Sequence, residues 1–297
     1  MLFRLMNATD LATCLARWPL PDVPLDLARA VLTTALHEQR LRGAVFRHPA
    51  LGELVGFGLS VFVRGADLLG LVEQEHPLVA THLHAEAAAM RVYLDPREAV
   101  LAQREDDMHM VVIVVIPDSL NPQDPQAQEL FHAAGVSFRL MHEGYALQGI
   151  WQEGFPENAG WLQAAGYQVW HRKLGSEERP RWLFGIRRNP GKADWPSYPV
   201  DHVLHRRTRR LGLSTAQCRV AELALWNLDD DEVACLLAIA PATVRRHWRA
   251  IFDRIDANEA IRIETVDTAA AEGRRGPERR RKVLNYLQSH LQEIRPA

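Results

Sequence analysis

Cysteine is scarce in this chain of 297 residues, which has three, Cys14, Cys218 and Cys235. They are scattered and odd in number, so they form neither the CxxC spacing of a zinc site nor a disulfide framework. We therefore expect small buried hydrophobic side chains in a reducing compartment.

Long apolar runs are also missing. The strongest run, 110–116, is far too short to span a bilayer, and the first ten residues lack the apolar core of a secretory signal. These absences predict a cytoplasmic protein that does not insert into a membrane.

Charge is nearly balanced overall, with a formal net charge of −2, but it is unevenly distributed. Residues 201–297 hold 17 of the 35 basic and 14 of the 37 acidic residues, which leaves the remainder acidic. The C-terminal part is therefore the candidate for binding nucleic acid.

The segment 213–255 has the periodicity of a compact helical unit. Apolar periodicity predicts three helices, at 216–225, 230–237 and 242–255. Ser214 and Asp229 are suited to cap the first two helices, and Pro241 is suited to the first turn of the third. Asn227 falls in the turn between the first two, where a left-handed backbone is often required.

The third predicted helix has one apolar and one basic face. The apolar face consists of Val244, Trp248, Ile251 and Ile255. Arg245, Arg246 and Arg249 project from the opposite side, as on a helix that enters the DNA major groove. A solvated basic face on an ordinary helical bundle is the alternative, and we favour DNA binding because the basic face coincides with the whole three-helix pattern.

This pattern resembles the LuxR-type helix-turn-helix family. The residues that carry the resemblance are Leu213-Ser214, Glu222, Asn227-Leu228, Glu232-Val233-Ala234 and the run 239–247, IAPATVRRH. The resemblance implies that Thr243, Arg245 and Arg246 lie toward the groove and that His247 lies near a phosphate. Ala240 departs from the family's capping Ser, and the triple Asp at 229–231 would repel phosphate.

A basic run precedes the first of these helices. Residues 189–200 are rich in Pro and Gly, and we take 189–205 as a linker. In the run 206–210, Arg209 and Arg210 are candidate phosphate contacts. A solvated tether is the alternative.

The first 188 residues alternate between predicted strands and helices, around a buried central strand at 109–116. The order of elements, the opening FRLMNATD at 3–10 and WLQAAGY at 161–167 resemble the GNAT acetyltransferase superfamily. The expected fold class is α+β, with a GNAT-like mixed α/β domain at 1–188. A helix-turn-helix domain at 206–272 and a C-terminal helical extension at 273–297 follow it.

Two features argue against catalysis in this domain. Working members of the family cradle the pyrophosphate of acyl-CoA on a Gly-rich loop after the central strand. Here the loop 117–125 has three prolines, two aspartates and no glycine. Leu162 stands where the family has its general-acid Tyr. We therefore expect a non-catalytic sensor: no enzyme, no catalytic residue, no cofactor and no metal.

Two weaker patterns remain open. His82 and His84 would share one face of a strand and could bind a metal, although such a pair is more often incidental. Four tryptophans, Trp151, Trp161, Trp170 and Trp182, could line a ligand pocket, and core packing explains them equally well.

The C-terminal extension carries an apolar stripe. A helix at 257–272 and another at 278–294 are predicted, and the second places an apolar stripe on one side: Val283, Leu284, Leu287, Leu291 and Ile294. The stripe packs either within the chain or against a second copy in a homodimer. The basic start at 279–282 requires an acidic or phosphate partner.

The function favoured by these patterns is a DNA-binding transcriptional regulator, whose N-terminal domain responds to an unidentified small molecule or partner and whose C-terminal domain binds double-stranded DNA. The alternatives are an acyl-CoA-dependent N-acyltransferase tethered to DNA, and a quorum-sensing receptor.

Overall fold

Seven strands form one sheet in the order β1-β2-β3-β4-β5-β7-β6. The computed structural model describes residues 1–73, 76–89, 92–114, 124–174, 180–188, 203–205, 207–258 and 275–295. The strands are β1 Leu2–Leu5, β2 Leu41–Arg47, β3 Leu54–Arg64, β4 Met108–Val114, β5 Gly149–Gly154, β6 Gln168–Leu174 and β7 Arg181–Arg187. β4 and β5 pair in parallel, and the other pairs in this sheet are antiparallel.

Helices connect the strands of the sheet. They are α1 Ala8–Arg17, α2 Leu25–His37, α3 Gly65–Val72, α4 Leu78–Ala89, α5 Pro96–Arg104, α6 Pro125–His142 and α7 Ala159–Ala164. The predicted order of strands and helices is confirmed here. α3, α4 and α5 lie between β3 and the central strand β4.

Alternation along the strands explains the main core. The odd-numbered residues of β3, Phe57 to Val63, all point into one apolar cluster because successive side chains of a strand alternate between faces. α1 and α2 pack against each other, and Leu11, Leu15 and Leu32 fill the cluster from that side.

Four further helices lie in the C-terminal part: α8 Thr215–Leu225, α9 Asp230–Leu237, α10 Pro241–Asp256 and α11 Arg275–Ser289. Ser214 and Asp229 cap α8 and α9 as predicted, each in a capping box with the third residue of its helix. Asn227 has a φ of 61°, which confirms the left-handed turn. The first three helices expected from the sequence are therefore present.

The contacts divide the chain into two units. One comprises Met1–Met141 and Ala146–His205, and the other His142–Tyr145 and Arg206–Pro296. Residues 189–202 of the predicted linker 189–205 lie outside the described residues. The same holds for the helix predicted at 257–272, apart from 257 and 258.

The predicted helix 278–294 is broken. α11 ends at Ser289, and a 3-10 turn, Leu291–Ile294, follows. Val283, Leu287, Leu291 and Ile294 are all buried within the chain. The stripe therefore needs no second copy to cover it, and the homodimer stays a prediction.

Cys235 is exposed, whereas Cys14 and Cys218 are buried. The expectation of three buried cysteines is wrong at that position, because Cys235 lies on the outer side of α9. Among the described residues, no helix is long and apolar enough to cross a membrane.

Candidate functional site

The parallel pair β4–β5 separates before either strand ends. Its register runs from His109–Gly149 to Val112–Gln152. β4 then continues to Val114 and β5 to Gly154, and the described register contains no further pair between them. On its other edge, β4 pairs Val112 with Ser60 and Val114 with Leu59, so Ile113 is the extra residue of a β-bulge.

The bulge and the separation coincide. A bulge turns the strand away from its neighbour and leaves backbone N–H and C=O groups without a ladder partner. Beyond Val112 and Gln152, the described register therefore contains no ladder pair between β4 and β5, and a ligand can pair with the backbone there.

A buried ion cluster begins one residue beyond the last β4–β5 pair. Glu153 is the next residue of β5 after Gln152, and its carboxylate accepts a hydrogen bond from Nη1 of Arg181 at 2.5 Å. It also accepts the backbone N–H of Val79, in the first turn of α4, at 3.1 Å. Arg181 forms a second ion pair with Asp22, in the loop between α1 and α2.

Opposing effects act on the pKa of Glu153, and the net result is a raised pKa. Burial raises the pKa of its carboxyl, whereas Arg181 and the N–H of Val79 act to lower it. The cluster has two carboxylates to one guanidinium and is anionic when both are ionised. The sequence prediction missed it, although a glutamate in β5 and an arginine at the start of β7 were a signal that could have been used.

The opposite end of the parallel pair carries a histidine. Nδ1 of His109 lies 3.4 Å from Nε1 of Trp151, which donates to it. Burial lowers the pKa of His109 to about 4, so the ring is neutral at pH 7. This ring packs in the core at the amino end of β4, away from the point of separation.

The tryptophans pack in several different contacts. Trp151 is fully buried and meets Trp170 edge-on, with ring centroids 5.0 Å apart. Trp161 contacts Phe131, and Trp182 contacts Phe184. Trp170 keeps 37% of its surface exposed, so the ligand pocket stays a prediction beside core packing.

His82 and His84 lie on α4 and not on a strand, so the expected shared face is wrong. A helix rotates by about 200° over two residues, and His82 is buried whereas His84 is exposed. Among the described residues, no group of three or more His, Cys, Asp or Glu side chains could hold a metal.

Most of the loop 117–125 lies outside the described residues. At its end, Asp124 accepts the N–H of Gln126 at 3.0 Å and so places a carboxylate at the amino end of α6. Leu162 is buried in α7 and has no titratable group. A second helix terminus, that of α4, is occupied by Glu153 as described above.

The basic face of α10 is exposed. Arg245, Arg246 and Arg249 point to solvent, and Thr243 and His247 are partly exposed. The buried stripe of this helix, Val244, Trp248, Ile251 and Ile255, packs against α8 and α9.

The two arginines before α8 differ from each other. Arg209 turns inward, and its Nη2 donates to the carbonyl of Leu213 at 2.9 Å. Arg210 is exposed, and its backbone N–H donates to the carboxylate of Glu293. Arg209 is therefore already engaged within the unit, and the structure separates it from the other candidate phosphate contacts.

Known proteins resemble this chain in fold. No protein-family model matches it, and no curated protein matches it. Solved structures do. A variant of the spermidine N-acetyltransferase SpeG from Vibrio cholerae is 12% identical with a TM-score of 0.34, over 63% of this chain and 95% of that one.

Two other solved structures match this chain with similar identity and TM-score. A mosquito arylalkylamine N-acetyltransferase-like protein is 13% identical with a TM-score of 0.39, over 63% of this chain and 99% of that one. FeeM, an N-acyl amino acid synthase from uncultured soil microbes, is 11% identical with a TM-score of 0.35, over 63% and 90%. At these identities and TM-scores the likeness concerns the fold alone.

These comparisons contradict two expectations. The chain was expected not to be an enzyme, whereas the named structures are of acetyltransferases and an acyl amino acid synthase. Transcription regulation and membership of the LuxR family find no support among them.

Proposed function

We propose that the chain is an acyl-CoA-dependent N-acyltransferase. The observation that carries this proposal is the separation of β4 from β5 at the bulge of Ile113. Diverging parallel strands give an extended thioester arm a backbone to pair with, and their N–H groups suit the oxyanion that forms when an amine attacks the thioester carbonyl. The resemblance to the GNAT superfamily implies the same chemistry.

The reaction forms a C–N bond and breaks the C–S bond of the thioester. The attacking amine loses a proton, and the CoA thiolate leaves. Glu153 is the described titratable residue that directly follows the last β4–β5 pair, and its pKa is raised by burial. We assign it the role of accepting the amine proton, because a carboxylate with a raised pKa is a better base near neutral pH.

The residues fit acyl-CoA unevenly. The separated strands suit the acyl and pantetheine part. The amino end of α6 suits a pyrophosphate less well, because the carboxylate of Asp124 already caps it.

A Glu153→Gln variant tests the assignment. It keeps the size of the side chain and its ability to accept the N–H of Val79. We expect turnover of acyl-CoA with an amine acceptor to fall by about 100-fold, with acetyl-CoA affinity in calorimetry unchanged. A variant Glu157→Gln, in the 3-10 turn after β5, is the control. Equal turnover in both variants would overturn the role of Glu153, and absence of acetyl-CoA binding by the wild type would overturn the function.

The C-terminal unit supports a second activity, contact with double-stranded DNA. Its basis is the exposed face of α10 with Arg245, Arg246 and Arg249, opposite a buried apolar stripe. In this proposal Thr243 and His247 flank the contact, Arg210 adds a phosphate contact, and the enzyme is tethered to DNA.

Replacing the three arginines with Ala tests this contact. Each phosphate contact that is lost should lower the slope of log K against log salt by about 1, and a base contact should cost about 1–3 kcal/mol. Unchanged affinity in a salt titration of the triple variant would reject the assignment.

A further inference from the structure

The start of α11 brings arginines onto the helix that carries the basic face. The guanidinium of Arg279 lies 4.7 Å from the ring centroid of Phe252 and 2.5 Å from the carboxylate of Asp256. Both of those residues belong to α10. Its side chain remains 35% exposed.

Phe252 and Asp256 continue the stripe of Arg249. Phe252 follows Arg249 by three residues, which on a helix places it within about 60° of Arg249 and about 4.5 Å along the axis. Asp256 follows by seven residues, within about 20° and about 10.5 Å along the axis. Arg245 lies one turn before Arg249 on the same stripe. Arg279 therefore adds a guanidinium to the exposed side of α10 that begins at Arg245, beside the exposed carboxylates of Asp253 and Asp256.

Arg280 forms an ion pair at the acidic start of α9. Its Nη1 lies 2.6 Å from the carboxylate of Asp230, and its guanidinium lies 4.5 Å from the ring centroid of Trp248. Asp229 is already occupied as the cap of α9, where it accepts the N–H groups of Asp231 and Glu232. Two of the three aspartates that would repel phosphate are therefore engaged, one of them by an arginine of α11.

We infer that the start of α11 is a second phosphate-contacting surface, in which Arg279 binds the DNA backbone beside the contacts of α10. This inference rests on the proposed DNA contact of α10. Stacking on Phe252 holds the guanidinium in place before DNA arrives, which reduces the entropy lost on binding. Asp256 holds the same group in the free protein and competes with the phosphate for it.

An intrachain role alone makes a different prediction from a phosphate contact. If Arg279 only fastens α11 to α10, Arg279→Gln and Asp256→Asn remove the same ion pair and change DNA affinity in the same direction. If Arg279 binds phosphate, Arg279→Gln weakens binding and Asp256→Asn strengthens it. Removing any carboxylate near DNA raises the affinity for DNA to some extent. The decisive quantity is therefore how much of the affinity gain from Asp256→Asn is lost when Arg279 is also replaced.

The experiment is a salt titration of the full chain on a duplex pool of random sequence, about two helical turns long. We expect Arg279→Gln to lower the salt slope by about 1, which makes the affinity loss between 50 and 200 mM salt about threefold smaller. The gain from Asp256→Asn should shrink in the Arg279→Gln background. Arg254→Gln is the matched control, since Arg254 is an exposed arginine about half a turn away from this stripe.

The outcomes separate the two proposals. Wild-type chain that binds no DNA overturns the DNA contact of α10 and this inference with it. A second outcome overturns the role of α11 but leaves α10 as the contact. In it, the wild type binds DNA, Arg279→Gln leaves the salt slope unchanged, and the affinity gain from Asp256→Asn persists in the Arg279→Gln background. Thermal unfolding of each variant shows whether α11 still packs, and Arg279→Ala takes the place of Arg279→Gln in the single and double variants if Arg279→Gln does not fold.

Discussion

At the scale of single residues, the most unusual group is His82. It lies on α4 in the main core with 1% of its surface exposed, and neither ring nitrogen has a hydrogen-bond partner among the described residues. The ring of Tyr93 lies beside it, with centroids 6.2 Å apart. Burial lowers the pKa of His82 to about 4 from an ordinary value of 6.5. A polar group buried in this way costs stability even when it is neutral.

The pKa of His82 predicts an acid-sensitive fold. The folded state binds the proton less tightly than the unfolded state, so stability is complete above pH 6.5 and is lost as the pH falls toward 4. The full loss is about 3 kcal/mol for this group. We expect His82→Leu to flatten the pH dependence of denaturant unfolding between pH 7 and 4, although His109 preserves part of it. His84→Leu, on the exposed side of the same helix, should behave as wild type, and a flattening of equal size in both variants would contradict the account.

At the scale of elements, the helix termini decide which ligands can approach. α6 and α5 are both capped by an aspartate, Asp124 and Asp95. A negative cap satisfies backbone N–H groups and interacts well with the helix dipole, but it excludes an incoming anion from the same place. α6 follows β4 in the chain, so its cap is the one that bears on acyl-CoA.

Replacing Asp124 with Ser should strengthen acyl-CoA binding. The hydroxyl still caps α6, and the positive end of the helix becomes available to a pyrophosphate. We expect the Kd of acetyl-CoA in calorimetry to fall by about two- to fivefold, equivalent to ~0.5–1 kcal/mol. Asp95→Ser makes the same change at α5 and should leave the Kd unaltered. Weaker binding by Asp124→Ser, or an equal effect at α5, would show that the pyrophosphate does not dock at α6.

Most elements followed from local sequence, and the candidate site did not. Strand alternation, capping residues such as Ser214 and the left-handed turn at Asn227 are encoded within a few residues, and these predictions were confirmed. The bulge at Ile113 and the cluster of Glu153, Arg181 and Asp22 depend on pairings between distant segments. His82 was misassigned for the same reason, because an HxH pattern gives no indication of whether it lies on a strand or a helix.

At the scale of the whole molecule, the two units differ in charge and in what they offer a partner. The N-terminal unit holds a mixed sheet in which the described parallel pairing of β4 with β5 ends beside the buried carboxylate of Glu153. The C-terminal unit presents an exposed arginine face on α10 that α11 extends. The charge asymmetry between residues 1–200 and 201–297 is consistent with that division, since only the latter segment has more basic than acidic residues.

Amine-dependent release of the CoA thiol by the full chain tests the central claim most directly. The acceptors are polyamines, arylalkylamines and amino acids, each supplied with acetyl-CoA and with a longer acyl-CoA, and mass spectrometry identifies the acylated product. We predict thiol release with at least one amine, a product heavier by one acyl group, and loss of both in Glu153→Gln. Thiol release that never exceeds the amine-free rate, together with no acyl-CoA binding in calorimetry, would contradict the proposed acyltransferase.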